Sequence, residues 1–366
     1  MKKTLTFALL PANPYILCYP SISTMLDKTR LAAIADLMND YLSIPGVEEY
    51  YAQTGIVKED FVAISPLNFE GQIFAVDGSN VALWNWTVAN INHIRAGYVV
   101  YRGRDWQRTV ITHDDVFLAD RTRYSTQFEI YLKNIFGLDT FVLKDQELDR
   151  LSAYFRELQE YIALKDAICG AQPGDLIIYD GSFTWKKRPL GTVLEKIFLS
   201  AEEKKVDLLG ISKSSSFYWG KDIPRPLLQH TSYVGSLLMP GVPWYIRLQG
   251  KNIEPGADGW DGETCIVRLD GRSDQAFRID APSYLINRLG SALEKLATYS
   301  ASAECLGYPH ALFRAHRDIR ITDRDGDFLK LELLNFLYSK GMGESHIGRA
   351  LLDYHDVIEM SPRGAL

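Results

Sequence analysis

The sequence predicts an α/β fold in which a mixed central sheet is flanked by helices, with an N-terminal helical extension and a β-rich insert. Three observations carry this reading. Two apolar runs, Ile73-Phe74-Ala75-Val76 and Leu176-Ile177-Ile178-Tyr179, have the length and composition of buried strands. Each runs straight into the same tripeptide, Asp77-Gly78-Ser79 and Asp180-Gly181-Ser182. The segment between them contains a stretch of helical periodicity, so strands and helices alternate. With 366 residues, 46% hydrophobic and 23% charged, the chain can bury a substantial core.

Along the chain, residues 21–42 carry apolar positions at Met25, Leu26, Ile34, Leu37, Met38 and Leu42, a helical spacing ended by Pro45-Gly46. Residues 1–70 are therefore expected to form a helical extension, 71–340 the main domain, and 341–366 a terminal helix and tail. After Asp77, strand-like runs are expected at 81–88, 96–101 and 109–112. Arg95, Arg102, Arg104 and Arg108 fall here among Tyr98, Tyr101 and Trp106. That mixture suits the solvated face of a β-meander, and equally a surface that grips phosphates and stacks bases.

Residues 145–168 read as a helix with Leu148, Leu151, Phe155, Leu158, Ile162 and Leu164 on its apolar side. Glu157 and Glu160 sit one turn apart on it. Gln172-Pro173-Gly174 then breaks the helix before the second Asp strand. Past that strand come a basic aromatic loop with Trp185, Lys186, Lys187 and Arg188, a helix over 190–204, and a strand over 206–211. The strand ends at Ser212-Lys213-Ser214, which puts Lys213 at a strand terminus suited to a phosphate contact. The insert follows as strands near 244–248, 265–269 and 277–279, with a Gly-rich loop over 250–262 whose acidic residues lack the spacing of a calcium loop. Helices are expected over 282–299, from 308 onward, over 328–337 and over 347–357.

Bulk properties limit the function classes. A net charge of −6 and a pI near 5.7 give no overall basic footprint, so a nucleic-acid role needs a local basic groove. Cys18, Cys169, Cys265 and Cys305 form no C-x-x-C pair and read as reduced, buried thiols rather than a zinc cluster or disulfide framework. The apolar start is cut short by Pro11, Asn13 and Pro14, and no run approaches the ~20 apolar residues of a membrane span. A cytoplasmic protein without membrane contact is expected.

An Asp closing one strand, a Glu on a helix, an Asp closing a second strand and a His on a late helix follow the order of metal ligands in ribonuclease-H-like nucleases. Carboxylates suit Mg²⁺ or Mn²⁺, and a late His can ligate or move a proton near neutral pH. The motifs Ala75-Val76-Asp77-Gly78-Ser79, Ile178-Tyr179-Asp180-Gly181-Ser182, Gly210-Ile211-Ser212-Lys213-Ser214, and Gly307-Tyr308-Pro309 with Ala315-His316 resemble those of the NurA nucleases, partners of the hexameric HerA ATPase. The resemblance spans roughly residues 71–320.

What this resemblance implies is a ribonuclease-H-like nuclease with Asp77, Glu160, Asp180 and His316 as ligands of Mn²⁺ or Mg²⁺, in two ions. Glu157 is the alternative to Glu160. Tyr308 would complete the catalytic set and Lys213 would contact phosphate. Arg102, Arg104, Lys186, Lys187 and Arg314 are candidates for lining a DNA channel. The resemblance also implies 5′-to-3′ exonuclease and single-strand endonuclease activity in DNA-end resection, a homodimer, and docking on a HerA-type ATPase. An inactive adaptor on an ATPase ring, a phosphatase, or a nuclease acting on RNA are the competing readings, since such a site cleaves whichever phosphodiester its groove admits.

Overall fold

A computed structural model describes residues 28–43, 46–85, 89–138, 143–144, 150–183, 190–221, 223–256 and 260–343. Helices α1 (Lys28–Leu42) and α2 (Val47–Thr54) lead to a short edge strand β1 (Val62–Ala63). A long meander follows: β2 (Gln72–Asn85), β3 (Ala89–Arg102) and β4 (Asp105–Asp120). Then come α3 (Tyr124–Tyr131), α4 (Leu151–Gly170), β5 (Leu176–Asp180), α5 (Gly191–Lys204) and β6 (Asp207–Ser212). A small ribbon of β7 (Tyr218–Trp219) and β8 (Arg225–Pro226) precedes α6 (Leu227–Leu238). The chain continues with β9 (Trp244–Arg247), β10 (Glu263–Arg268), β11 (Phe277–Ala281), α7 (Leu289–Thr298), α8 (His310–Ile319) and α9 (Asp323–Ser339).

Nine strands form one sheet in the order β1-β9-β10-β11-β6-β5-β2-β3-β4. Only the central pairs β2–β5 and β5–β6 are parallel; all others are antiparallel. The parallel centre is covered on both faces, which is why its strands are unbroken apolar runs rather than alternating ones. Phe74, Val76, Ile177 and Tyr179 face a core shared with α4 and α5, including Phe155, Leu158, Leu164, Leu194 and Ile197. Ile73, Ala75, Leu176 and Ile178 face the opposite core, with Leu293 and Leu296 of α7 and Leu312 and Ala315 of α8. A third cluster around Tyr50, Ile56, Phe61, Trp219 and Trp244 ties α2 and α6 to the β9 edge.

The expected α/β class with a mixed sheet flanked by helices is the one found. The strands of the expected insert are β9, β10 and β11, which extend the central sheet through the pairing of β11 with β6. One expectation needs correction. The first Asp-Gly-Ser does not turn the chain: β2 continues to Asn85, with Gly78 opposite Ala96 and Ser79 opposite Arg95. What stops near Asp77 is only the parallel pairing, whose last register is Val76 with Tyr179. Helices α2 and α6 were not anticipated, and the helix expected over 282–299 begins as a 3₁₀ turn, Ser283–Arg288. The helix expected over 347–357 lies outside the described residues. Cys265 is buried as expected, Cys305 is half-buried, and Cys169 is exposed; none of these three is disulfide-bonded. Among the described residues no helix is long and apolar enough to cross a membrane.

Phe155 is the keystone of the α4 face. It stacks on Phe117 at 4.0 Å and meets Phe128, Tyr131 and His113 edge-on. Phe155→Ala should cost about 3–5 kcal/mol, since it removes both transfer energy and packing that the rigid sheet cannot refill. Denaturant unfolding followed by circular dichroism measures this; a loss below about 1 kcal/mol would contradict the packing described.

Candidate metal centre

Asp77 and Asp180 meet because β2 and β5 run parallel in register. Val76 pairs with Tyr179, so the next residue on each strand is a carboxylate at the same level of the sheet. His316 comes from the last turns of α8, which packs across β2. Among the described residues, Asp77, Asp180 and His316 form a group whose ligand atoms all lie within 4.8 Å of one another. His316 Nδ1 is 3.2 Å from Asp77 Oδ2, and the Gly78 N–H donates to Asp77 Oδ1 at 2.7 Å. Lys213 Nζ sits 2.6 Å from Asp180 Oδ2, at the end of β6.

Glu160 stands just beside this group. It is wholly buried, accepts from Arg156 Nη1 at 2.6 Å and from the Tyr179 hydroxyl at 2.8 Å, and packs against Gly78. A Cβ at position 78 would collide with the Glu160 carboxyl, so the glycine is required for close approach rather than for a turn. Glu157, one turn earlier, accepts from the Tyr161 hydroxyl at 2.6 Å and lines the cavity beside Asp180. Glu160 is thus the helix carboxylate that neighbours Asp77.

Burial, reinforced by the charge of Asp180, pushes the Asp77 carboxyl up to about 7. Glu160 is pushed up to about 7 by burial as well, against the opposing pull of Arg156. His316 is shifted below the ordinary imidazole range by desolvation and by the Lys213 charge, which favours a neutral ring with an available lone pair. The Tyr308 hydroxyl is buried beside Asp180, and burial with the charges of Asp180 and Asp77 holds it firmly protonated. Lys213 Nζ lies 5.2 Å from the centre of the Tyr308 ring.

No family model and no curated protein matches the sequence. Among solved structures, the chain is similar to the NurA nuclease from Sulfolobus solfataricus, with a TM-score of 0.52 at 15% identity, covering 87% of this chain and 99% of that one. The fold is that of the NurA nuclease. The catalytic domain of human Endonuclease V is also similar, at 12% identity and a TM-score of 0.33 over 87% of this chain and 100% of that one. Endonuclease V from Ciona intestinalis aligns at 10% identity and a TM-score of 0.35, over 78% of this chain and 95% of that one.

Within this NurA fold, five of the expected residues (Asp77, Glu160, Asp180, Tyr308 and His316) and Lys213 gather at one place. Arg102, Arg104 and Arg314 do not. Arg102 pairs with Gln72, five positions back along β2 from Asp77, or about 17 Å at the rise of an antiparallel strand. Arg104 and Arg314 line a separate cavity of about 380 Å³ near Tyr101 and His310, where Arg314 stacks on Trp106 and pairs with Asp318. Lys186 and Lys187 lie outside the described residues. Three arginines that sequence reasoning passed over, Arg150, Arg156 and Arg278, do border the site. Arg278 carried a usable signal: Arg-x-Asp along a strand puts Arg278 and Asp280 on one face.

The elevated carboxyls give the cation-free protein a defined pH dependence. Their contribution to stability is full below the ordinary carboxylate range and is lost as pH rises through about 7. In EDTA, the stability read from thermal unfolding should therefore fall between pH 5 and pH 8 by on the order of 5 kcal/mol for the two groups together, and Asp77→Asn should flatten part of that slope. A divalent cation held by these carboxyls should stabilise more at pH 8 than at pH 5. A profile that Asp77→Asn leaves unchanged would overturn this electrostatic account.

Proposed function

We propose that this chain is a divalent-cation-dependent DNA nuclease of the NurA type, cutting phosphodiesters at Asp77, Asp180 and His316. The observation that carries the reading is the convergence of two carboxylates and an imidazole, all within 4.8 Å, at the centre of a sheet with the NurA fold. The donor set fits Mn²⁺ or Mg²⁺: carboxylate oxygens are hard ligands, one imidazole is tolerated well by Mn²⁺, and Asp77 is a buried carboxylate short of counter-charge. Asp77, Asp180 and His316 would hold one ion, and Glu160 would share in a second. Bound there, a pair of such ions supplies activation of water and stabilisation of the leaving 3′-oxygen.

The remaining roles belong to the protein. The neutral His316 ring has a single lone pair, so it would serve either as a ligand of the ion or, with Nδ1–H donating to Asp77, as a proton acceptor at Nε2, since more than half of the side chain is exposed. The Tyr308 hydroxyl remains protonated and can donate to a phosphate oxygen. Lys213, already held beside Asp180, offers its ammonium to a phosphate on the open side of the cluster.

In this reading the enzyme degrades strands 5′ to 3′, nicks single strands, and works as a homodimer with a HerA-type hexameric ATPase in DNA-end resection. Exposed apolar surface supports macromolecular partners. Helix α1 exposes Leu31, Ile34, Met38 and Tyr41, spaced three, four and three residues apart like a helix-packing seam. Helix α9 exposes Phe328, Leu331, Phe336 and Tyr338, and a soluble monomer seldom leaves two such faces bare.

The test is degradation of 5′- and 3′-labelled linear DNA with Mn²⁺, Mg²⁺ or EDTA, beside RNA of the same sequence. Cleavage should require the metal, favour DNA, and release the 5′ label first. Asp77→Ala and Asp180→Ala, shown to be folded, should each lose at least about 100-fold in rate. Wild-type protein that stays inert with either metal, alone and with its cognate ATPase and ATP, would sink the nuclease reading and leave an adaptor. Tyr308→Phe should keep the fold, since the ring remains to pack on Phe277, yet slow cleavage by about 10-fold or more. Unchanged turnover in that variant would remove Tyr308 from the mechanism.

A further inference from the structure

A second polar cavity opens directly beside the carboxylate cluster and includes Asp180 in its wall. Its volume is about 570 Å³, within the range of small-ligand pockets. Arg150, Arg156 and Arg278 line it, together with Ser182, Ser212 and Ser214–Ser216, while Glu157, accepting from the Tyr161 hydroxyl, adds a second carboxylate to the wall beside Asp180. The arginines and serines are a donor set for an oxyanion. Guanidinium groups bind phosphate in a forked geometry, and serine hydroxyls add adaptable donors at little steric cost.

The pocket is built rather than incidental. Arg278 faces Ser212 across the β11–β6 pairing, one step from Ile211, which pairs with Asp180. It is buried, held by Asp280 through two hydrogen bonds of 3.0 Å, and laid 4.6 Å over the Phe217 ring. Asp280 is itself fixed by Thr264 and by the Phe183 N–H. The Arg278 guanidinium therefore presents to the cavity without needing to be ordered first. Arg156 reaches the cavity from α4 while pairing with Glu160, so it connects the cavity to the carboxylate site. Arg150 is exposed and rests on Tyr154 at 5.5 Å. Lys213 and Tyr233 border a different cavity, of about 480 Å³, so Asp180 has a basic cavity wall on one side and the Lys213 ammonium on the other.

We propose that the Arg150–Arg156–Arg278 cavity is a phosphate-binding pocket for the nucleic-acid strand, taking a phosphate that flanks the one cut at the carboxylate cluster. The proposal rests on the nuclease reading above. Its ligand chemistry is a nucleic-acid phosphate, either a terminal monoester or an internal diester.

The experiment is fluorescence anisotropy with single-stranded DNA in EDTA and in Ca²⁺, comparing wild type, Arg150→Glu, Arg278→Lys and the exposed control Lys58→Glu. Arg150→Glu should weaken binding about 10-fold or more, and Lys58→Glu less than about 2-fold. A neutral methylphosphonate linkage walked along the strand should weaken wild-type binding at one position and leave Arg150→Glu indifferent at that position. Strands with a 5′-phosphate, a 3′-phosphate or hydroxyl ends separate the two sources: an effect confined to one phosphorylated end identifies a terminal monoester, and an effect at an inner linkage identifies a diester. Arg278→Lys retains the charge but not the fork, and its weaker binding in a protein with unchanged circular dichroism supports the same assignment.

If wild type binds and cleaves DNA while Arg150→Glu and the methylphosphonate walk behave like the control, the pocket is refuted and the nuclease reading stands. If wild type binds no strand under either condition and cleaves none, both fall together.

Discussion

The parallel register between β2 and β5 is the constraint on which the site depends. It sets Asp77 and Asp180 at one level of the sheet although more than a hundred residues separate them in sequence. A slip of one residue would turn one of the two carboxylates to the opposite face, because strand side chains alternate with a period of two. The register is held by what flanks it. Phe74, Val76, Ile177 and Tyr179 lock into one core and Ile73, Ala75, Leu176 and Ile178 into the other, so neither strand can shift without exposing one apolar set. Bringing two like charges together in a poorly solvated place opposes folding. The apolar strands immediately before them supply the burial that offsets this cost.

Small residues determine how tightly the polar layer can close over that register. Gly78 admits the Glu160 carboxyl, and a Cβ at Gly181 would run into the Tyr179 ring. The Tyr179 hydroxyl in turn fixes one oxygen of Glu160 while Arg156 fixes the other and reaches toward the Gly78 carbonyl at 3.5 Å. Gly78, Gly181, Tyr179, Arg156 and Glu160 thus form one connected unit in which each member's position presupposes another's. The Asp-Gly-Ser repeat owes its glycine to crowding in both copies, by the Glu160 carboxyl of a distant helix in the first and by the Tyr179 ring of its own strand in the second.

That difference explains which features were legible in the sequence. An apolar run ending in Asp marks a buried strand with a charged exit, so Asp77 and Asp180 could be found without a structure. His316 and Tyr308 required the family-like motif, because a histidine and a tyrosine on an amphipathic helix otherwise look like packing. The candidate arginines of the meander lie apart from the cluster. Arg102 and Arg104 are near Asp77 in sequence, but the β2–β3 hairpin reverses the chain and returns them to the far end of the strand. Helix α6 stayed hidden because polar residues occupy part of its buried face: His230 accepts from the Trp219 indole and Thr231 shares a hydrogen bond with the Tyr50 hydroxyl. Such pairs carry no hydrophobic period, so no pattern of spacing reveals them.

The same accounting of charge distinguishes Asp77 from its neighbouring carboxylates. Asp180 has Lys213, Glu160 has Arg156, and buried Asp280 has Arg278, each within hydrogen-bonding reach. Asp77's hydrogen-bonding neighbours among the described residues are the Gly78 N–H and a histidine whose ring the surroundings keep neutral, with the Lys213 and Arg156 charges acting on it from beyond hydrogen-bonding reach. Asp77 is therefore the member of the cluster whose negative charge the protein itself leaves least compensated, which is why burial and Asp180 can raise its proton affinity so far. A divalent ion placed against Asp77 would replace that proton and relieve the repulsion with Asp180 in one event. The arginine and lysine partners hold the neighbouring carboxylates in place; Asp77, which lacks such a partner at hydrogen-bonding distance, is where a divalent cation would fit.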